Sequence, residues 1–274
     1  MRIIITNDDG FEARGLQALV RVMRKFGTLT VVAPKKPQSG MSMAVTMGYK
    51  PIAVKRLSSS EAESWWYLDG TPASCVKYAV DNILWPEKAD LVVSGVNHGS
   101  NAATASVYSG TIGAAMEGAV NGIPSIGVSL DSFNPDADFS AVEALLPGIL
   151  EKLLGSEWHY GLFYNINFPA VPANEIKGVK FCHMGYGHWE REYKVYSEFL
   201  EEKGRTPDSE AQAYLDNIQP GEEVYVMAGD FTDNGDNVYP ADHHLLEEGY
   251  ITVTPQNIDN TDRQALKSLC DTIL

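Results

Sequence analysis

The sequence predicts an α/β fold organised around a largely parallel sheet. Three observations carry that expectation. The runs Ile3–Thr6 and Asp90–Ser94 are apolar on consecutive residues, as strands covered on both faces are. Between Ile3–Thr6 and Thr28–Ala33, the residues Leu16, Leu19, Val20, Met23 and Phe26 recur at helical spacing and give one apolar face. Strand, helix and strand in that order imply parallel pairing through a right-handed crossover.

Ile3–Thr6 is the first strand and Arg14–Phe26 the first helix, closed near Gly27. Thr28–Ala33 is the second strand, and Pro34–Met43 (PKKPQSGMSM) is a loop leaving its carboxyl end. Val45–Leu57 and Trp65–Leu68 read as further strands. Thr71 caps a helix over Pro72–Ile83, with Pro72 at the tolerated first position. Asp90–Ser94 is a buried strand, Gly95–Gly110 a loop and Thr111–Val120 a helix of small residues. Ser125–Leu130 is a strand, Val142–Leu154 a helix broken or begun near Pro147, and Leu162–Phe168 a late strand. From about Cys182 the pattern becomes polar, aromatic-rich and weakly periodic, which suggests an extended hairpin or arm over His183–Asp242. Ile251–Thr254 is a final strand and Asn260–Cys270 a terminal helix. The expected division is a core over 1–182, an arm over 183–242, and a strand and helix over 243–274 that complete the fold.

The chain has 274 residues, 44% of them hydrophobic, enough for one large α/β domain or two small ones. Its formal net charge of −15 argues against binding a nucleic acid polymer or an anionic membrane face, because no basic patch can release counterions. An anionic substrate would therefore need a local cation to overcome the global repulsion. Cys75, Cys182 and Cys270 form no CxxC pair, as in a reduced cytoplasmic protein. The sequence opens on a strand pattern without a leader-like apolar stretch, and no run approaches the roughly 20 apolar residues of a membrane span. No signal peptide and no membrane association are expected.

Two adjacent carboxylates, Asp8 and Asp9, end the first strand. In open α/β sheets ligands bind at the carboxyl ends of strands. Carboxylates there are hard oxygen ligands suited to Mg²⁺ or Mn²⁺. Taken alone, the pair is explained equally well as a polar turn closed by Gly10. A second polar loop at the same edge tilts the balance. Ser94–Gly113 (SGVNHGSNAATASVYSGTIG) offers the amides of Asn97 and Asn101 and the hydroxyls of Ser106, Ser109 and Thr111 just before a helix. A strand, a Gly/Ser/Asn loop and a helix start make an anion site, because free N–H groups point out of the helix. The loop has no GK[ST] and no GxGxxG follows the first strand, so neither a P-loop nor dinucleotide binding is supported. It also contains no Lys or Arg, so a phosphate docked there needs a cation, which Asp8 and Asp9 are placed to hold. Ser39 and Gly40 bring a third loop to this edge; by themselves they read as a turn. His98 lies inside the phosphate loop, where a solvated histidine is the plainer reading, and Tyr108 is the aromatic nearest the motif for stacking a base.

NDDG at the end of the first strand, Ser39-Gly40, GTPASCVK at Gly70–Lys77, SGVNHGSN from Ser94 and YSGTIGAAMEG from Tyr108 together resemble the SurE family, the survival-protein nucleotidases. The resemblance is strongest between Met1 and Ser129 and returns at Ala241–Pro255 (ADHHLLEEGYITVTP). It implies a three-layer, Rossmann-like, parallel-rich sheet with a protruding β-hairpin arm and a C-terminal extension. It further implies a homodimer or tetramer with an exchanged C-terminal segment and the arm in oligomerisation. The implied activity is that of a divalent-metal-dependent phosphomonoesterase acting on nucleoside 5′- and 3′-monophosphates, with short polyphosphate as a further substrate. Asp8, Asp9, Ser39 and Asn97 match the family's metal ligands, one divalent cation per subunit. Asp8, Asp9 and Asn97 are then the catalytic set. Asn101, Ser109, Gly110 and Thr111 match its phosphate-contacting positions. Asp242 and His244 would hydrogen-bond across a subunit contact. Ala241 stands where many members have Thr, Thr252 where Ser is usual, and His183–Tyr239 does not match.

In the mechanism this implies, the cation polarises a phosphoryl oxygen and water attacks in line, with helix-start N–H groups and hydroxyls near Ser109–Thr111 on the equatorial oxygens. A covalent aspartyl-phosphate route is disfavoured because the carboxylates are adjacent and both are wanted by the metal. The competing class is a non-catalytic metal- and nucleotide-binding sensor built on the same loops.

Overall fold

The computed structural model describes residues 1–235 and 240–273. Among these, the chain divides into two compact units, Met1–Gly185 with Val238–Leu274, and Tyr186–Asn237.

The larger unit is a three-layer α/β sandwich. Its strands are β1 (Arg2–Thr6), β2 (Thr28–Pro34), β3 (Val54–Ser59), β4 (Glu63–Leu68), β5 (Leu91–His98), β6 (Ser125–Leu130), β7 (Leu162–Phe168), β8 (Val179–Phe181) and β13 (Ile251–Asn257). They lie in one sheet in the order β3-β4-β2-β1-β5-β6-β7-β13-β8. The pairs from β4 to β7 are parallel, and antiparallel pairing enters at β3–β4 and β7–β13.

Alternation along each strand feeds two cores. Ile3 and Ile5 pack with Leu16 and Leu19 of helix α1 (Arg14–Met23) and with Val142, Leu146 and Leu150 of α5 (Ser140–Leu154). Ile4, between them in sequence, packs on the opposite face with Cys75 and Val76 of α2 (Pro72–Tyr78) and Ala114 of α4 (Gly110–Val120). Period-two side chains on a sheet covered on both faces produce this split. A short helix α3 (Ala105–Tyr108) precedes α4, while α8 (Asp242–Glu247) and α9 (Arg263–Ile273) flank β13.

Several boundaries differ from the sequence reading. Helix α1 stops at Met23, and Phe26 N–H turns back to the Met23 carbonyl at 2.9 Å. The strand expected from Val45 begins only at Val54, because Gly48 sits at φ +85° and Pro51 has no N–H to give a ladder. Helix α2 gives way after Tyr78 to a π-helical turn over Ala79–Leu84. Strand β5 runs past Ser94 to His98, because a register shift lets Asn97 pair again with Ser129 and His98 with Leu130. Helix α5 passes through Pro147 unbroken, held by buried Val142, Leu146, Ile149, Leu150 and Leu153.

The smaller unit contains more than an extended hairpin. Two antiparallel ladders, β9 (Gly187–Glu190) with β12 (Asp230–Asp233) and β10 (Tyr193–Val195) with β11 (Tyr225–Met227), form an interrupted hairpin. Its connection carries two helices, α6 (Tyr196–Lys203) and α7 (Ser209–Leu215). Helix α6 ends on Gly204 at φ +59°, a residue suited to the left-handed stop, and α7 is capped by Asp208. Residues 236–239, within the expected arm, lie outside the described residues. Among the described residues no helix is long and apolar enough to cross a membrane.

Close approach of α1 to the sheet yields a test of the packing. A Cβ on Gly15 would lie 2.0 Å from the Val96 carbonyl oxygen, whereas one on Gly148 in α5 would meet nothing within 4 Å. Gly15→Ala should therefore destabilise by about 1–3 kcal/mol, and Gly148→Ala should stabilise by roughly 0.5–1 kcal/mol. Thermal unfolding checks both signs.

Candidate functional site

The site begins where β1 ends. Asn7 is fully buried, and its side-chain amide donates to the Gly10 carbonyl at 3.0 Å, closing a turn in which Gly10 takes φ +99°. The turn presents Asp8, 4% exposed, and the half-buried Asp9.

Asp8 meets two other elements. Its carbonyl accepts the Gln38 amide at 2.7 Å, which draws in the loop that carries the exposed Ser39. Its Oδ1 accepts the Thr111 hydroxyl at 2.5 Å. Helix α4 starts directly against this carboxylate: a Cβ on Gly110 would lie 3.0 Å from Asp8 Oδ2, so glycine leaves the space beside it open. Burial pushes the Asp8 carboxyl up to about 6; hydrogen bonds from the Thr111 hydroxyl and amide pull it down, and the Asp9 charge raises it further.

Strand β5 delivers the second group. Gly95 adopts φ +132° where a Cβ would come within 2.2 Å of the Val128 carbonyl oxygen, and the register shifts before Asn97. Such irregularities re-aim side chains at the end of a strand. The Asn97 amide nitrogen donates to the Gly99 carbonyl at 2.8 Å, which leaves the amide oxygen for another partner. The next residue, His98, approaches Asp9 Oδ2 with its backbone N–H at 3.3 Å and its Nδ1 at 3.5 Å, while its ring packs edge-on against Phe139.

Ser109 caps α4 by accepting the Ile112 amide at 3.1 Å, and its hydroxyl hydrogen stays available to a ligand. The Thr111 hydroxyl, expected on phosphate, is committed to Asp8. Asn101 is 6% exposed and bonded to β6 and β7: its backbone N–H donates to Asn167 Oδ1 at 2.7 Å and its Nδ2 to Ser129 Oγ at 2.7 Å. Asn165 Nδ2 donates to the Asn101 carbonyl at 2.8 Å, and Asn167 Nδ2 to Asn165 Oδ1 at 3.0 Å. The sequence reading missed these asparagines. Their signal is the Asn-Ile-Asn alternation in an otherwise apolar strand, since buried amides demand partners. Asp242, expected at a subunit contact, is 0% exposed and bonded within its own chain.

The structure thus gathers Asp8, Gly110 and Thr111 in direct contact, brings Asp9 to the residue after Asn97, and seats Asn101 deeper on β6 and β7. A groove of about 510 Å³ between α1 and the β3–β4 edge contains none of these side chains; it is lined by Phe11, Arg24, Leu57, Glu63 and Trp65 among others. Chemistry, not volume, marks the site. The candidate ligands Asp8, Asp9, Asn97 and Ser39 offer oxygen donors, two carboxylates with an amide oxygen and a hydroxyl, a set that suits a hard divalent cation.

The Asp8 shift predicts a pH effect. A carboxyl raised in the folded state contributes stability that is complete below its unfolded pKa, near 3.8, and is lost as pH rises through about 6. Without added metal, Asp8→Asn should therefore be more stable than the parent at pH 7.5, and the gap should close as pH falls to about 4.5. Urea unfolding of both proteins in EDTA measures it, and taking the difference cancels the other titrating groups.

The family model described as Survival protein SurE matches residues 3–191. The chain is 37% identical over 268 residues to the 5′-nucleotidase SurE of Christiangramia forsetii, covering 97% of this chain and 95% of the relative. It is 38% identical over 270 residues to the 5′-nucleotidase SurE of Cytophaga hutchinsonii, with coverage of 97% and 95%. Among solved structures, the SurE protein from Aquifex aeolicus matches with a TM-score of 0.77 at 28% identity, covering 98% of each chain. A family match over most of the chain, and relatives aligned along nearly all of it, leave one assignment: the chain belongs to the SurE family.

Proposed function

We propose that this chain hydrolyses the phosphate ester of nucleoside 5′- and 3′-monophosphates, with short polyphosphate as a further substrate, using a divalent cation held by Asp8, Asp9, Ser39 and Asn97. As a member of a family whose curated relatives are 5′-nucleotidases, it is a hydrolase. The observation that supports the site assignment is the contact between the buried Asp8 carboxylate and the start of α4, an acidic oxygen ligand beside the N-terminal end of a helix.

The residues divide the work. Thr111 fixes the orientation of Asp8, and the His98 amide fixes Asp9. When bound, Mg²⁺ or Mn²⁺ would supply Lewis-acid polarisation of the phosphoryl group and a counter-charge that the Ser94–Gly113 loop, with no Lys or Arg, does not. The Ser109 hydroxyl and the Gly110 N–H, at the positive end of α4, face the phosphate oxygens and stabilise charge there as the transition state forms. Asn101 contributes from the loop, and exposed Tyr108 offers a surface for the base. Water attacks phosphorus in line and the ester P–O bond breaks; a site carboxylate accepts the proton that water gives up and returns it to the leaving oxygen, so that nucleoside and phosphate depart. Self-association as a homodimer or tetramer, with an exchanged C-terminal segment, belongs to the same reading.

Phosphate release from AMP in Mn²⁺ should be lost in excess EDTA. Asp9→Asn should lose at least the roughly 100-fold that removing even an outer-shell partner of a metal can cost. Turnover unaffected by EDTA would sink the metal assignment, and AMP binding without phosphate release would favour a sensor.

A further inference from the structure

Away from the acidic pair, two carboxylates of the larger unit are almost completely buried among the described residues, Glu117 and Asp242. Glu117 has a cationic partner, Lys77 Nζ at 2.8 Å. Asp242 is held by the backbone instead. Its Oδ1 accepts the amides of Ala103 at 3.0 Å, Gly185 at 2.9 Å and His243 at 2.8 Å. Its Oδ2 is buried with no hydrogen-bond partner among the described residues, and His243 Nδ1 lies 3.6 Å from Oδ1.

The bond to Ala103 reaches back 139 residues, from the C-terminal segment to the loop that carries the proposed phosphate contacts. Ala103 sits at φ +50°, a left-handed conformation that costs an L-residue energy and is not adopted without support. It is also a junction. Two residues earlier, Asn101 is pinned through its backbone N–H and carbonyl by Asn167 and Asn165. On its other side, the Ala103 carbonyl accepts the Ser106 amide at 3.2 Å in α3, from which the chain passes to Ser109 and α4. The turn at Ala103 therefore sets how the asparagine-anchored part of the loop is joined to the helix start.

We infer that Asp242 is a positioning residue for phosphoester hydrolysis: its buried carboxylate holds the left-handed turn at Ala103, and through that turn the placement of Asn101 and of the Ser109–Thr111 helix start. This rests on the phosphatase reading given above. A carboxylate suits the task better than an amide, because a charged acceptor binds backbone N–H groups more strongly.

The test compares Asp242→Ala, Asp242→Asn, Ala103→Gly and Asp242→Ala/Ala103→Gly by kcat and KM on AMP with Mn²⁺, at temperatures where melting curves show each protein folded. Asp242→Ala should lower kcat by about ten- to a hundredfold, the scale of a displaced positioning group. Asp242→Asn, which keeps an acceptor oxygen, should lose less but still fall below the parent. Ala103→Gly should recover part of the kcat lost in Asp242→Ala, since glycine takes positive φ without help. A merely structural role would lower the melting temperature and leave kcat and KM of the folded variants at the parental values, which overturns the inference. So would an equal loss in the Ala103→Gly background. If Asp242→Ala does not fold, parental kcat in Asp242→Asn overturns it. Parental hydrolysis of AMP with unaffected variants rejects this inference alone, whereas a parent without turnover rejects the phosphatase reading as well.

Discussion

A carboxylate buried against the start of a helix is the constraint around which this molecule is arranged. Asp8 is nearly removed from solvent and meets the Thr111 hydroxyl at 2.5 Å, and its own carboxyl is raised to about 6 by that burial. A folded chain gains nothing from an ionised acid in such a place unless something compensates the charge. The amide dipoles at the start of α4 compensate part of it. The proposed cation would supply the rest, and the high formal negative charge of the chain makes a local source of positive charge all the more necessary for an anionic substrate.

Much of the surrounding architecture serves that close contact. Helix α4 is built of small residues, and glycine at 110 and 113 lets it press onto Asp8 and onto the Ser42 carbonyl oxygen, which a Cβ on Gly113 would approach to 1.9 Å. The shift in β5 before Asn97 takes one residue out of regular pairing so that the strand end reaches the acidic turn. Behind the loop, Asn165, Asn167 and Ser129 form a buried hydrogen-bonded set in strands that are otherwise apolar. Each of these amides would be costly if unpaired, so the set specifies one loop conformation rather than merely permitting it.

The sheet and its helices were legible in the sequence because strands covered on both faces and helices with one apolar face leave local patterns. Ile3–Thr6, Leu19 with Met23, and Ser125–Leu130 needed no knowledge of their neighbours. What stayed hidden depends on partners distant in the chain. Strand β5 seemed to end at Ser94 because Gly95 reads as punctuation, while its continuation to His98 is set by pairing with β6. The bond from Thr111 to Asp8 spans 103 residues and leaves no local trace in the sequence. Asn165 and Asn167 were read as ordinary strand residues, since the loop amide and carbonyl they hold lie 66 and 64 residues away. In the arm, weak periodicity gave no sign of α6 and α7, which are short and largely exposed.

The central claim is that one oxygen-rich cation site at the end of β1 adjoins one anion site at the start of α4. A crystal structure of the full chain grown with Mn²⁺ and inorganic phosphate, with anomalous scattering recorded for manganese, tests it most directly. The account predicts a manganese peak about 2.1 Å from oxygens of Asp8, Asp9, Ser39 and Asn97, with phosphate between that ion and the Ser109–Gly110 start of α4. Manganese bound elsewhere while Asp8 and Asp9 remain without an ion, or phosphate seated away from α4, would contradict it.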